Sequence, residues 1–126
     1  MFRCTLALAT ALLFALPTGA QVQRSFPQNA LRGEITVGEP PELTLNGKPT
    51  RLAPGARIRS QANMLEMSGS LIGQRLPVHY TIDINGQVKD IWLLTPDELA
   101  KRPWPTKPEE AARWEFDAIA QTWTKR

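Results

Sequence analysis

Two Asn-Gly pairs, at residues 46–47 and 85–86, each stand between two short runs of strand-forming residues. Asn-Gly is the dipeptide best suited to the positive φ angles of a two-residue type I′ turn. Ahead of the second pair, residues 76–82 alternate strictly, with Leu, Val, Tyr and Ile on one face. The pattern predicts two β hairpins, and it constrains a chain of this length to be mainly β.

Further strand signals lie on either side of these hairpins. Residues 31–37 alternate apolar and polar side chains, which is typical of a half-buried strand. Residues 88–94 are apolar on both faces, which indicates a strand that is buried on both sides. The Pro-Gly pair at 54–55 predicts a bend between strands at 51–53 and 56–59.

The segment 60–75 predicts a short helix or an irregular linker, with an apolar face weakened by two glycines. That face comprises Met64, Leu65, Met67, Leu71 and Ile72. Five short strands bury little surface as a flat sheet, whereas closing the sheet removes its exposed edges. We therefore predict a small five-stranded, OB-like antiparallel barrel over residues 31–94. An open antiparallel sheet and an SH3-like barrel are the alternatives.

Residues 95–126 are predicted to form a helical and irregular appendage that packs on the barrel. Thr95, followed by Pro and two acidic residues, indicates a helix start, and Thr106 predicts the cap of a second short helix. Residues 114–125 fit either a continuation of that helix or a terminal hairpin, and their alternation slightly favours the hairpin. The tail also holds three of the four tryptophans, which either seal the barrel or form a binding surface. We favour sealing.

Residues 1–20 have the composition of a cleavable secretion signal, with small residues ahead of a cleavage site between Ala20 and Gln21. The apolar stretch is shorter than the roughly 20 residues that a membrane-spanning helix needs. Cys4 is the sole cysteine and would leave with the signal, so disulfide and thiolate chemistry are excluded from the mature chain. A small exported domain without disulfides favours a periplasmic location. Residues 21–30 are predicted to be a flexible leader.

The charge balance limits the kinds of partner. The chain has 15 Lys and Arg against 12 Asp and Glu, and loss of the signal's one arginine lowers the net charge from +3 to +2. This balance does not indicate nucleic-acid binding, for which a clustered basic face is expected. We expect a monomer without a stable membrane anchor after signal removal.

The inventory of reactive side chains argues against an enzyme. His79 is the sole histidine and lies opposite the apolar face of its strand, so we predict that it faces solvent. Asp83 and Asp90 straddle the second Asn-Gly turn, with Asp97 and Glu98 close by in sequence. Paired acids can hydrolyse glycosides, which makes a carboxylate-based hydrolase the third possibility. We predict no catalytic residue and no cofactor.

Soft metal binding is the second possibility. The chain resembles the periplasmic copper and silver chaperones of metal efflux systems in its size, export signal and approximate strand order over residues 31–94. Those proteins hold a monovalent metal with Met thioethers and a His, capped by a Trp. The resemblance implies Met64, Met67 and His79 as candidate ligands, with Trp92 as a candidate cap, and soft sulfur suits Cu(I). The spacing and order of the methionines differ from those of the family.

The chain also resembles uncharacterised small secreted bacterial proteins with a single OB-like barrel. The matching features are strand and turn runs at 31–37, 43–47, 52–58, 73–80 and 85–94. This resemblance implies the fold and the location but no activity. We therefore expect an exported, non-enzymatic binding or accessory domain, whose partner is an envelope protein or a small ligand.

Overall fold

The computed structural model describes residues 23–126. The predicted signal peptide, its cleavage site between Ala20 and Gln21, and Cys4 lie outside the described residues. The elements are, in chain order, β1 (Leu31–Val37), β2 (Glu42–Leu45), β3 (Lys48–Arg59), β4 (Leu65–Glu66), a 3-10 turn (Ser68–Leu71), β5 (Arg75–Ile82), β6 (Val88–Leu93), α1 (Pro96–Ala100), α2 (Pro108–Arg113), β7 (Glu115–Asp117) and β8 (Thr122–Thr124).

Five strands close into a barrel in the order β2-β1-β5-β6-β3, because β2 also pairs with β3. The β3–β6 pair is parallel, and the other four pairs around the barrel are antiparallel. Asn46 and Gly47 join β2 to β3 with φ angles of 52° and 81°, which is the predicted two-residue turn. A meander of three strands, closed by a hairpin whose last strand runs parallel to the third, is the OB arrangement. The predicted fold class is confirmed.

The interior of the barrel is apolar, and all five strands contribute to it. Its buried side chains are Leu31, Ile35, Val37, Leu43, Ile58, Val78, Tyr80, Val88 and Ile91, together with Leu71 of the 3-10 turn. Alternate residues of the same strands point outward.

A second apolar cluster, here called the second core, lies outside the barrel. It consists of Phe26, Ala30, Leu94, Trp104 and Trp123, with Trp92, Leu99, Ala111, Trp114 and Phe116 packed against it. The indole N–H of Trp104 donates to the carbonyl of Ala30 at 3.0 Å, and the backbone N–H of Arg32 donates to the carbonyl of Pro105 at 2.8 Å. The tail therefore packs on the barrel through its aromatic side chains.

The tail ends in a hairpin. Its strands β7 and β8 pair with Phe116 opposite Trp123, whose rings lie 4.7 Å apart. This settles the alternative left open for residues 114–125 in favour of strands. The second helix begins one residue later than predicted, with Lys107 as its N-cap, because the Thr106 hydroxyl instead donates to the Glu110 carboxylate.

One prediction about the barrel segments is narrowed by the structure and another is partly wrong. Residues 60–74 form an irregular linker with the two-residue β4 and one 3-10 turn, which is the second of the two predicted alternatives, and Gly73 takes a φ of 80°. The Pro-Gly pair at 54–55 does not end a strand. It bends β3 at a bulge, where the register with β6 shifts between Leu52 and Arg57.

The predicted flexible leader is packed in its described part, residues 23–30. It forms no strand, but Arg24, Phe26 and Ala30 are all buried. The sequence gives this segment no periodicity, and its order comes from contacts with distant parts of the chain. Within residues 23–126, no helix has the length and apolar character needed to cross a bilayer.

Candidate functional site

Three side chains form a row across the outer face of β1, β5 and β6. In the register of the sheet, Arg32 lies opposite His79, and His79 lies opposite Trp92. Val78 and Tyr80 flank His79 and belong to the barrel interior, so His79 points outward. We call Arg32, His79 and Trp92 the outer row.

The outer row is covered by aromatic side chains from both ends of the chain. The His79 ring lies 4.0 Å from the Trp104 ring and 4.5 Å from the Phe26 ring, measured between centroids. As a result His79 is 0% exposed. The prediction that it faces solvent is wrong, because the tail and the leader fold over the face to which it points.

Arg32 fixes the tautomer of His79. Arg32 Nε and Nη2 lie 3.3 and 3.2 Å from His79 Nε2. A guanidinium has donors only, so Nε2 accepts and the proton of the neutral ring is on Nδ1. Among residues 23–126, no acceptor lies within hydrogen-bond distance of Nδ1. The site therefore contains a buried N–H donor without a protein partner, which is costly in free energy.

The surroundings also fix the charge of His79. Burial, and then the nearby charges of Arg32 and Arg24, lower its pKa from 6.5 to about 2. The ring is consequently neutral throughout the physiological range. It serves as a fixed hydrogen-bond donor and is poorly suited to exchange protons near neutral pH.

A buried ion pair joins the leader to α1. Arg24 Nε donates to the Glu98 carboxylate at 2.9 Å, and its other nitrogens donate to the carbonyls of Ser60 and Leu93 at 2.8 and 2.7 Å. Glu98 completes a capping box with Thr95 at the start of α1. Burial raises the pKa of Glu98, but the hydrogen bonds from Arg24 and Thr95 outweigh it, and the pKa lies below its ordinary value.

Arg32 holds the other end of α1. Its nitrogens donate to the carbonyls of Glu98, Leu99 and Lys101 at 2.8, 3.3 and 2.9 Å. The Glu98 carbonyl also accepts the backbone N–H of Lys101, so Arg32 adds a second donor at the end of the helix. Burial and the neighbouring charge of Arg102 lower the pKa of Arg32. The two arginines thus place α1 beside the outer row.

A cavity of about 640 Å³ lies between the leader, residues 61–63, α1 and the tail. This volume is in the range of small-molecule sites, roughly 300–1,000 Å³. Its lining is Gln23, Arg24, Phe26, Gln61, Ala62, Asn63, His79, Thr95, Asp97, Glu98, Lys101, Trp104 and Gln121. We call it the His79 cavity.

Most polar groups of the His79 cavity already have partners. The Gln121 amide binds the backbone of Phe26 and Ala118, and Lys101 Nζ donates to a backbone carbonyl. The charges of Arg24 and Glu98 neutralise each other. Asn63 and Asp97, which also line the cavity, are exposed to solvent. The rest of the lining is mainly apolar and includes His79 with its unpaired donor, which suits a neutral ligand that carries a hydrogen-bond acceptor.

The candidate metal ligands are not gathered in this cavity. Met64 and Met67 are 68% and 81% exposed on the segment around β4, and neither lines the cavity to which His79 contributes. Among the described residues, no group of three or more His, Cys, Asp or Glu side chains is placed to hold a metal ion. Soft-metal binding by the Met pair stays a prediction, which titration with Cu(I) or Ag(I) would test.

Asp83 and Asp90, the pair of carboxylates at the centre of the hydrolase hypothesis, have local structural partners, whereas Asp97 and Glu98 line the His79 cavity. Asp83 accepts from the backbone N–H groups of Asn85 and Gln87 in the β5–β6 turn, while Asp90 bonds the hydroxyl of Thr81. Each is occupied within the hairpin, and neither lines the His79 cavity.

Sequence reasoning missed Arg24, Arg32 and Trp104 as members of the site. One signal was available, because Trp92 shares the outer face of the β5–β6 hairpin with His79. A tryptophan on that face indicates that the face is covered.

Comparisons with protein-family models, with curated proteins and with solved structures gave no match.

Proposed function

We propose that this protein is an exported binding domain that holds a small neutral ligand in the His79 cavity. The observation that carries the proposal is that His79, whose Nδ1–H is buried and unpaired, is one of the residues lining a ligand-sized cavity. A ligand carbonyl or ether oxygen would give this donor its missing acceptor. The apolar lining of Phe26 and Trp104 would contact the rest of the ligand.

Binding, rather than catalysis, fits the chemistry of the cavity. Its one imidazole is neutral at physiological pH, and its buried carboxylate is held by Arg24 and Thr95. Neither group is prepared to transfer protons. The signal-like sequence of residues 1–20 supports a periplasmic location, and the mass of the exported chain should correspond to a start at Gln21.

Two fragments of nearly equal shape test the proposal. Acetophenone carries a carbonyl acceptor, whereas α-methylstyrene has a methylene group in its place. Titration of ¹⁵N-labelled protein should give saturable shifts of the Phe26 and Trp104 signals with acetophenone. Binding of α-methylstyrene should be at least about tenfold weaker, because it leaves the His79 donor unpaired.

Two alanine-to-tryptophan variants provide the control. Ala62 is exposed and lines the cavity, whereas Ala112 is exposed on α2 and does not. A62W should abolish acetophenone binding, and A112W should leave it unchanged. Equal binding of the two fragments, or binding that A62W leaves intact, would contradict the proposal.

A further inference from the structure

A second concave surface lies on the tail side of the outer row. It encloses about 910 Å³ and opens widely to solvent. Three indoles and three cationic side chains dominate its walls: Trp104, Trp114, Trp123, Arg32, Arg102 and Lys125. We call it the tryptophan groove. It shares Trp104 with the His79 cavity but is otherwise lined by different residues.

Within the described part of the chain, the cations of the tryptophan groove form no ion pair with a carboxylate. None of the four ion pairs found among residues 23–126 involves a groove residue. Arg32 lies over the Trp104 ring at 5.5 Å, and Lys125 lies over the Trp114 ring at 5.3 Å. These cation–π contacts orient the charges without neutralising them.

Arg32 and Arg102, two of the positive charges in the groove, also repel each other. Arg102 is close enough to Arg32 to contribute to the lowered pKa of that side chain, after burial. Like charges held together are mutually unfavourable, and an anion bound at Arg102 would relieve the repulsion. The exposed side chains of Arg102 and Lys125 are accessible to such an anion.

Trp123, one of the residues that line the groove, also carries a buried, unpaired donor. Trp123 is 4% exposed, and within the described part of the chain its indole N–H has no acceptor. The neighbouring Trp104 N–H is already bonded to the carbonyl of Ala30. Indole, guanidinium and ammonium groups are donors only, so these side chains call for a ligand rich in acceptors.

We propose that the tryptophan groove binds a ring-bearing anion, whose acidic group pairs with Arg102 and Lys125 and whose ring packs against the part of the Trp114 indole that Lys125 leaves uncovered. The indoles supply rigid, flat contact area at low conformational cost. The ring requirement distinguishes this site from a simple basic patch. Acidic sugars and aromatic acids share this chemistry. The inference does not depend on the proposed function of the His79 cavity.

Two pairs of probes distinguish acidic sugars from aromatic acids as the ligand. Glucuronate is compared with glucose, and 2-naphthoate with 2-naphthamide, so that each acid has a neutral counterpart. Calorimetric and NMR titrations at low salt should show binding of at least one acid, at least about tenfold tighter than its neutral counterpart. The acid that binds identifies the source. Added salt should weaken binding, because the charges lie near solvent.

Paired charge variants separate the groove from overall charge. Arg102 and Lys125 are exposed and make no side-chain hydrogen bond in residues 23–126, and the same holds for Lys48 and Arg57 on β3. The variant R102Q/K125Q should weaken acid binding at least tenfold, as expected when two charge-assisted contacts are lost. The variant K48Q/R57Q carries the same change in net charge and should weaken it less than about twofold.

The NMR signals of the indole N–H groups test for direct contact with the ligand, because nonspecific attraction to charge would not shift one of them selectively. On binding, the Trp123 N–H signal should shift downfield as it gains an acceptor, while the already bonded Trp104 N–H should change little. Binding of neither acid would overturn the proposal. So would equal binding of acid and neutral probes, or equal losses in the two double variants.

Discussion

The neutral imidazole of His79 links the stability of the fold to pH. Its pKa is about 2 in the folded protein, against an ordinary value of 6.5. Below pH 6.5 the unfolded chain takes up a proton that the folded chain does not, so stability falls as the pH falls. His79 is the sole histidine, and no other side chain of ordinary pKa titrates between about pH 6.5 and pH 5.

We therefore expect the free energy of unfolding to fall by about 1.2 kcal/mol between pH 6 and pH 5. The variant H79Q lacks the titrating group and should show a much shallower slope. Urea denaturation at several pH values measures both slopes. Equal slopes for the two proteins would contradict a buried, neutral His79.

The buried Arg24–Glu98 ion pair is a second contribution of individual residues to the stability of the fold. The side chains are 7% and 15% exposed, so removing one partner leaves a buried charge. We expect R24M to destabilise the protein by about 3 kcal/mol. The control is R51M, which breaks the Arg51–Glu42 pair, where both side chains are more than half exposed. It should cost less than about 1 kcal/mol in the same denaturation assay.

The outward direction of His79 was predictable from strand alternation, but its burial was not. Its cover comes from Phe26 and Trp104, which are distant from it in sequence. Alternation reports which face of a strand a residue occupies, and it cannot report what folds over that face. The roles of Arg24 and Arg32 could not be predicted for the same reason. Their partners lie on α1 and at Ser60, and the sequence does not show where these segments pack.

The strands of the barrel and their turns were the most predictable elements. The Asn46-Gly47 turn depends on a backbone angle that glycine alone adopts readily, with φ of 81° at Gly47. A Cβ at this position would meet no atom within 4 Å, so a substitution acts through backbone strain and not through a clash. By contrast, side-chain spacing alone could not decide between the short helix and the irregular linker predicted for residues 60–75, because it does not show whether a surface is available for a helix to pack against.

We expect G47A to destabilise the protein by about 1–2 kcal/mol, the cost of placing an L-residue in the left-handed region. Gly69 is the matched control, because it has equally open space around it but no positive φ. G69A should change the free energy of unfolding by no more than about 0.5 kcal/mol. Similar losses in both variants would show that turn geometry is not the cause.

The barrel and the tail should unfold as one unit. Arg24 and Arg32 bind backbone carbonyls of the barrel and of α1, and the second core joins side chains from the leader, the sheet and the tail. All four tryptophans belong to the second core or pack on it, so their fluorescence reports that region. Far-UV circular dichroism mainly reports the strands of the barrel.

Thermal and urea transitions followed by the two signals should therefore coincide. A tail that is merely attached would lose its tryptophan signal first, at a lower midpoint. Two separate transitions would contradict the role assigned to the arginines and to Trp104.

The His79 cavity is most directly tested by ¹⁵N NMR of the imidazole itself. With one histidine in the chain, its two ring nitrogens need no assignment to a residue. We predict a protonated Nδ1 and an unprotonated Nε2 that persist unchanged down to about pH 5, and a shift of the Nδ1–H signal when acetophenone is added. An imidazolium at that pH, the opposite tautomer, or an Nδ1–H signal that does not respond to acetophenone would contradict the account.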